Sequence, residues 1–270
     1  MAASHFRSNS LPTEKNPLFR IVEEQLVRLR SSEATKPSLA DCKLSGLKDL
    51  YDDVDDLLQL SFTCETEKNM EEVLGGSLRV LDVCSTTRDV FSQMKESVQE
   101  LQSSLRRKRG SESTMAIVFK SYMESRKRMN KMVSKCLVNS KRVEKKSKAS
   151  SIDRDLDMAS LLKEAEETSL VVLESLLTLA KTRSRPTGWS VVSKLMKHGE
   201  DATDAADELA KMDAELLALI GNNCCPSRLQ NILSELRALE SSIQETEEEL
   251  ECVYRRLVKT RVSLLNGIHN

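Results

Sequence analysis

Apolar side chains near the C-terminal end of the sequence recur every three or four residues. They are Leu229, Ile232, Leu236, Leu239, Ile243, Thr246, Leu250, Val253, Leu257, Thr260 and Leu264, with two threonines the only polar members. Steps of three and four trace one face of an α-helix, and five heptads of them predict a helix of roughly 50 Å with a coiled-coil-like seam. Pro226 opens it at a first-turn position, and Arg255, Arg256, Lys259 and Arg261 sit toward its end, where the helix dipole favours cations.

The same spacing returns at Leu44, Leu47, Tyr51, Val54 and Leu58, again at Phe91, Met94, Val98, Leu101 and Leu105, and again from Met115 and Val118 through Tyr122 and Met129 to Cys136. Met158, Leu161, Ala165, Val172 and Leu179 form a further stripe, and Ala202, Ala206, Leu209, Leu216 and Ile220 a shorter one. Each stripe predicts one buried helix face. Punctuation is expected at Asn16-Pro17, Lys36-Pro37, Gly75-Gly76, Gly110, Ser150-Ser151, Pro186-Thr187-Gly188, Gly199 and Gly221 to Pro226. The expected fold is therefore all-α: an elongated bundle of seven or eight partly coiled-coil-like helices, with short connections making neighbours antiparallel. Residues 1–16 are expected to form a disordered arm and residues 17–268 a single bundle domain. No repeat of fixed period emerges, which counts against a solenoid.

Composition narrows this further. Eight glycines, five prolines and 3% aromatics in 270 residues leave little material for short strands and tight turns. Seven cysteines, odd in number and without a Cys-x-x-Cys pair, point to a reducing, intracellular compartment, cytoplasmic or nuclear. No apolar run approaches the roughly 20 residues of a bilayer span. Residues 1–12 carry Arg7, three serines and no acid, a composition faintly like a plastid transit peptide but without its length.

The formal net charge of −1 conceals three blocks. Asp41 to Glu72 is net −7, Arg106 to Lys148 net +12, and Glu200 to Glu251 net −11. In a bundle, helices meet their neighbours along their length, so the simplest expectation is that the basic block is satisfied internally. If it lies apart, it becomes a footprint for an anionic partner or membrane.

Catalytic chemistry has little to build on. His5 and His269 lie in the tails and His198 stands alone before Gly199, so no Glu-x-x-His di-metal pattern exists, nor any phosphate-cradling glycine loop or nucleophile elbow. Cys224-Cys225 are adjacent and badly placed to bridge. Asp49, Asp52, Asp53, Asp55 and Asp56 lack an EF-hand's loop spacing and read as a solvated acidic face. Trp189 to Met196 reads as a short amphipathic helix capping the core. No catalytic, metal or cofactor-binding residue is expected, and no enzyme.

Three segments carry interaction chemistry instead. Arg106-Arg107-Lys108-Arg109 suits nuclear import, and Lys141, Arg142, Lys145 and Lys146, beside Ser147, Ser150 and Ser151, suit a phospho-regulated contact with anionic lipid. Arg7-Ser8-Asn9-Ser10-Leu11-Pro12 spaces Arg7, Ser10 and Pro12 so that a phosphate on Ser10 would dock in the Arg cluster of a 14-3-3-type reader. Protein partners are expected and nucleic acid is not, while oligomeric state stays open.

Four segments in order resemble one plant family: Arg7 to Pro12; Leu44-Ser45-Gly46-Leu47-Lys48-Asp49-Leu50-Tyr51 into Val54-Asp55-Asp56-Leu57-Leu58-Gln59-Leu60; Leu81-Asp82-Val83-Cys84 through Arg88-Asp89 to Val98-Gln99-Glu100-Leu101-Gln102 and the Arg106 cluster; and Leu250 to Leu257 running into Thr260 to Asn266. On these the chain is similar to the plant-specific DUF241 family, related to the BYPASS proteins. It departs at Ser61, where relatives often carry proline, and in a short linker at Thr35 to Ala40. The resemblance implies a helical protein without known enzymatic activity, linked to root and shoot development through restraint of a root-derived mobile signal. It carries over no catalytic residue.

Overall fold

The structure, a computed structural model, describes residues 17–32, 44–60, 67–107, 112–147, 158–181 and 226–269. Among these are six helices and no strand: α1 (Pro17–Ser32), α2 (Leu44–Leu60), α3 (Glu67–Arg107), α4 (Glu112–Ser147), α5 (Met158–Ala180) and α6 (Pro226–His269). The all-α expectation holds. The helices anticipated around Trp189 and from Ala202 to Ile220 lie outside the described residues, as do Cys224, Cys225, His198 and the arm.

All eleven positions of the Leu229 to Leu264 stripe are buried in α6, as are all five of the stripe in α2 and the Phe91 to Leu105 stripe in α3. Together with Val22, Leu26 and Leu29 of α1, Tyr122, Met129 and Val133 of α4, and Leu161 to Ala180 of α5, they form one continuous core. At 44 residues α6 spans about 65 Å, and α3, at 41 residues, about 60 Å. α3 is the central element and touches α4, α5 and α6, while α2 touches α1, α5 and α6.

Polar pairs fix the directions. Down the α3–α6 seam, Arg261 donates to the Leu74 carbonyl and the Ser77 hydroxyl, both at 2.6 Å, Arg88 meets Glu251, Lys95 meets Glu247, and Gln99 bonds Glu240 at 2.7 Å, so residue numbers rise on one helix as they fall on the other. Those helices are antiparallel. Along α2 and α6 they rise together: Lys48 pairs with Glu249 at 2.6 Å, Asp52 with Arg256 at 2.8 Å and Asp55 with Lys259 at 2.7 Å. α2 and α6 are parallel neighbours, contrary to the uniform antiparallel expectation, because α6 returns to α2 from far along the chain rather than through a short turn.

Gly75-Gly76 does not end a helix. α3 runs through both glycines unbroken. The reason is tertiary: the Glu166 carboxylate of α5 lies against the Gly76 backbone where a Cβ would stand. Glycine here admits a buried side chain from the neighbouring helix at the cost of about 1 kcal/mol of helix propensity. Accordingly, Gly76→Ala is expected to destabilise the protein by about 1–3 kcal/mol. In a Glu166→Ala background the same change should become neutral or stabilising by up to about 1 kcal/mol. A double-mutant cycle by urea unfolding checks this coupling, which is absent if the two effects simply add.

Asp55 also departs from expectation. Instead of lying on a solvated face it is buried, accepting hydrogen bonds from Gln59, Lys259 and Ser263. Burial alone would raise its pKa, but these donors outweigh it and hold the carboxyl below its usual range. Asp53 moves the other way, raised by burial and by the neighbouring carboxylates of Asp49 and Asp56.

Candidate interaction surface

α4 lies on one side of α3 and runs antiparallel to it. Its inner face carries Tyr122, Arg126, Met129 and Val133, all buried. Arg126 reaches the Met94 sulfur at 3.4 Å, and Ser125 and Ser97 share a hydrogen bond of 2.6 Å. Phe119 and Tyr122 stand with ring centroids 6.4 Å apart. α4 touches α3 and α5, and neither α2 nor α6.

Its outer face is cationic. Lys120, Lys127, Arg128, Lys131 and Lys135 are all exposed, with Glu124 the single acid among them. Seven-residue spacing explains the alignment: Ile117, Glu124, Lys131 and Val138 form one line along the helix, with Lys120 and Lys127 to one side and Arg128 and Lys135 to the other. None of the five cations forms an ion pair among the described residues.

Among the described residues, the basic block finds no acidic partner along this stretch; Glu200, Asp201, Asp204, Asp207, Glu208, Asp213 and Glu215 of the third block lie outside them. Several of the acids that could meet it are engaged elsewhere. Asp52 and Asp55 of α2 pair with the basic end of α6, and Glu240, Glu247 and Glu251 of α6 bond Gln99, Gln102, Lys95 and Arg88 of α3. Arg88 additionally lies over the Tyr254 ring, 4.6 Å from its centroid. These acids of α2 and α6 are thus engaged in the seams of the bundle rather than on α4.

The residues singled out from sequence fall around this surface. Lys141, Arg142, Lys145 and Lys146 belong to the last turns of α4, with side chains outside the described residues. Arg106 and Arg107 are exposed in the last turn of α3, where Arg106 donates to the Gln102 side-chain oxygen at 2.7 Å and Arg107 to the Ser103 carbonyl at 3.2 Å. Lys108 and Arg109 lie outside the described residues, and so do Arg7, Ser10 and Pro12. Sequence reasoning missed Lys120, Lys127, Arg128, Lys131 and Lys135 as a face, although Arg128, Lys135 and Arg142 recur at intervals of seven.

It also missed a buried ionisable cluster between α2, α3 and α5. Glu166 is buried beside Gly76, and burial lifts its carboxyl from 4.5 to about 8 despite nearby Arg79. Close by, the Tyr51 hydroxyl and Ser169 Oγ are 2.9 Å apart, and burial pushes the phenol well above its ordinary value. Cys84, likewise buried, has its thiol pushed up to about 12, which makes it a packing residue rather than a nucleophile.

Among the described residues no group of three or more His, Cys, Asp or Glu is placed to hold a metal ion, and no helix is long and apolar enough to cross a membrane. Neither a curated protein nor a solved structure matches the chain. The family described as Protein BPS1 does, over residues 43–266, a span that takes in α2 to α5 and nearly all of α6. The chain belongs to the BPS1 family.

Proposed function

We propose that this protein is a non-enzymatic interaction scaffold acting in plant root and shoot development, with the outer face of α4 as its docking surface. The observation that carries the reading is the row of five exposed cations, without an ion pair among the described residues, held on a helix whose inner face is locked into the core. Family membership fits a plant developmental protein, and the buried stripes of α2, α3 and α6 supply the rigid body that a scaffold requires. In this reading the Ser10 segment is a phosphorylation-dependent handle for a 14-3-3-type reader, and the protein works inside the cell. The second reading, a peripheral membrane adaptor, uses the same cationic face.

Affinity purification of the tagged full-length chain from plant tissue tests the scaffold role. Partners recovered with the wild type should fall at least fivefold with Lys127→Glu, Lys131→Glu and Lys135→Glu combined, since reversing exposed charges abolishes electrostatic steering while leaving the core intact. An identical partner set from both proteins would overturn α4 as the docking face.

A further inference from the structure

We infer that the outer face of α4 lies on an anionic membrane surface. The inference deepens the docking-face reading by naming what docks.

Two features of the face point to a bilayer rather than to an acidic protein or a nucleic acid. The first is its shape. Lys120 to Lys135 cover about 22 Å of one straight helix, with cations on three adjacent rows. Across the rows Lys127, Arg128 and Lys135 are each three or four residues from Lys131, about 6 Å on the helix surface, so at physiological ionic strength, where the Debye length is about 8 Å, they act on a plane of headgroups together. Four of the five are lysines, compact point charges suited to mobile lipid phosphates and carboxylates rather than to one bidentate acceptor.

The second feature is aliphatic. Ile117 and Val138 are 68% and 51% exposed, and both stand on the central line of the same face, one at each end of the row. Water penalises them there. The boundary between headgroups and acyl chains accepts them, which is how an amphipathic helix anchors while its lysines meet anionic lipid. A nucleic-acid surface would instead want aromatics for base stacking. The aromatics of α4 are Phe119, half-buried against the core, and Tyr122, buried within it.

Sedimentation of the full chain with vesicles tests this. Wild-type protein should partition onto vesicles of 70% phosphatidylcholine and 30% phosphatidylserine, remain free with pure phosphatidylcholine, and be released by 0.5 M salt. Each lysine near such a surface is worth about fivefold in partitioning, the equivalent of ~1 kcal/mol. Lys131→Gln with Lys135→Gln should therefore weaken binding about 25-fold. Ile117→Asn with Val138→Asn should weaken it at least threefold while leaving the salt dependence in place. Both variants change exposed positions, and unchanged circular dichroism verifies that the bundle survives.

Equal binding to neutral and anionic vesicles overturns the inference, and so does wild-type affinity in the lysine variant. Binding to a single-stranded RNA oligonucleotide but not to vesicles overturns it too. If vesicle binding is absent while the charge-reversed α4 still loses protein partners from plant tissue, the membrane inference fails and the scaffold reading stands.

Discussion

Leu250→Asp should unfold the protein or lower its melting temperature by about 10–15 °C, the equivalent of about 4–5 kcal/mol for a domain of this size. Leu250 is fully buried. Its neighbours in sequence show where it points: Glu249 pairs with Lys48 of α2 and Glu251 with Arg88 of α3, so the side chain between them enters the wedge where those two helices meet α6. Its carbonyl accepts a long contact from the Cys84 thiol at 4.0 Å, within the same wedge. A carboxylate placed there loses its hydration and gains no partner. Glu248 is the control, because it is exposed and, among the described residues, engaged only by Gln244 at 2.6 Å on its own helix. Glu248→Ala should change stability by about 0.5 kcal/mol or less. Equal melting temperatures for the two variants would mean that the seam is not where the core closes.

The second large effect is a loss of stability toward alkaline pH, traced to Glu166. Its carboxyl titrates near 4.5 when unfolded and at about 8 when folded, chiefly through burial. A raised folded value means that the native state holds a proton the unfolded state has released. The associated stabilisation is complete below pH ~4.5 and is lost as pH rises through about 8. Between pH 5 and 8.5 this one group should cost about 4 kcal/mol. The charges facing it are Arg79 and Glu72 of α3 and Lys163 and Glu167 of α5, and the Glu166 carboxylate in turn helps to raise the nearby Tyr51 phenol of α2. Asp55, whose carboxyl is held low, works in the opposite sense and matters only as pH falls below its ordinary range near 4. Urea unfolding across pH 5–8.5 should show the decline in wild type, and Glu166→Gln should flatten it by keeping a neutral side chain of the same shape. A profile unchanged by that substitution would remove Glu166 as its source.

What could be read from the sequence followed how local the cause was. The stripe of α6 is legible because five heptads of burial are written into one continuous segment, and the structure buries every position of it. Gly75-Gly76 misleads because glycine punctuates most helices. Nothing nearby announces that Glu166, ninety residues later, fills the space beside Gly76. Glu166 itself has a faint signature, since Leu162, Glu166, Ser169, Leu173, Leu176 and Ala180 step by four and three, and all are buried. A charge on a core stripe is a sign of burial, but one easily set aside as an interruption. The face on α4 was half legible. Its net charge was plain, whereas its exposure depended on how α2, α3 and α6 would pack and engage their acids in their own seams.

The return of α6 to α2 and α3 also governs how the chain is made. Contacts such as Lys95 with Gln244 and Asp55 with Ser263 join residues 149 and 208 positions apart. At about 5–20 residues per second, a ribosome needs on the order of ten to forty seconds to deliver the second partner after the first. Throughout that interval the apolar faces of α2 and α3 are synthesised without the helix that covers them. Their shelter until then falls to α1, α4 and α5, or to a chaperone at the tunnel exit, and the bundle closes only when α6 emerges.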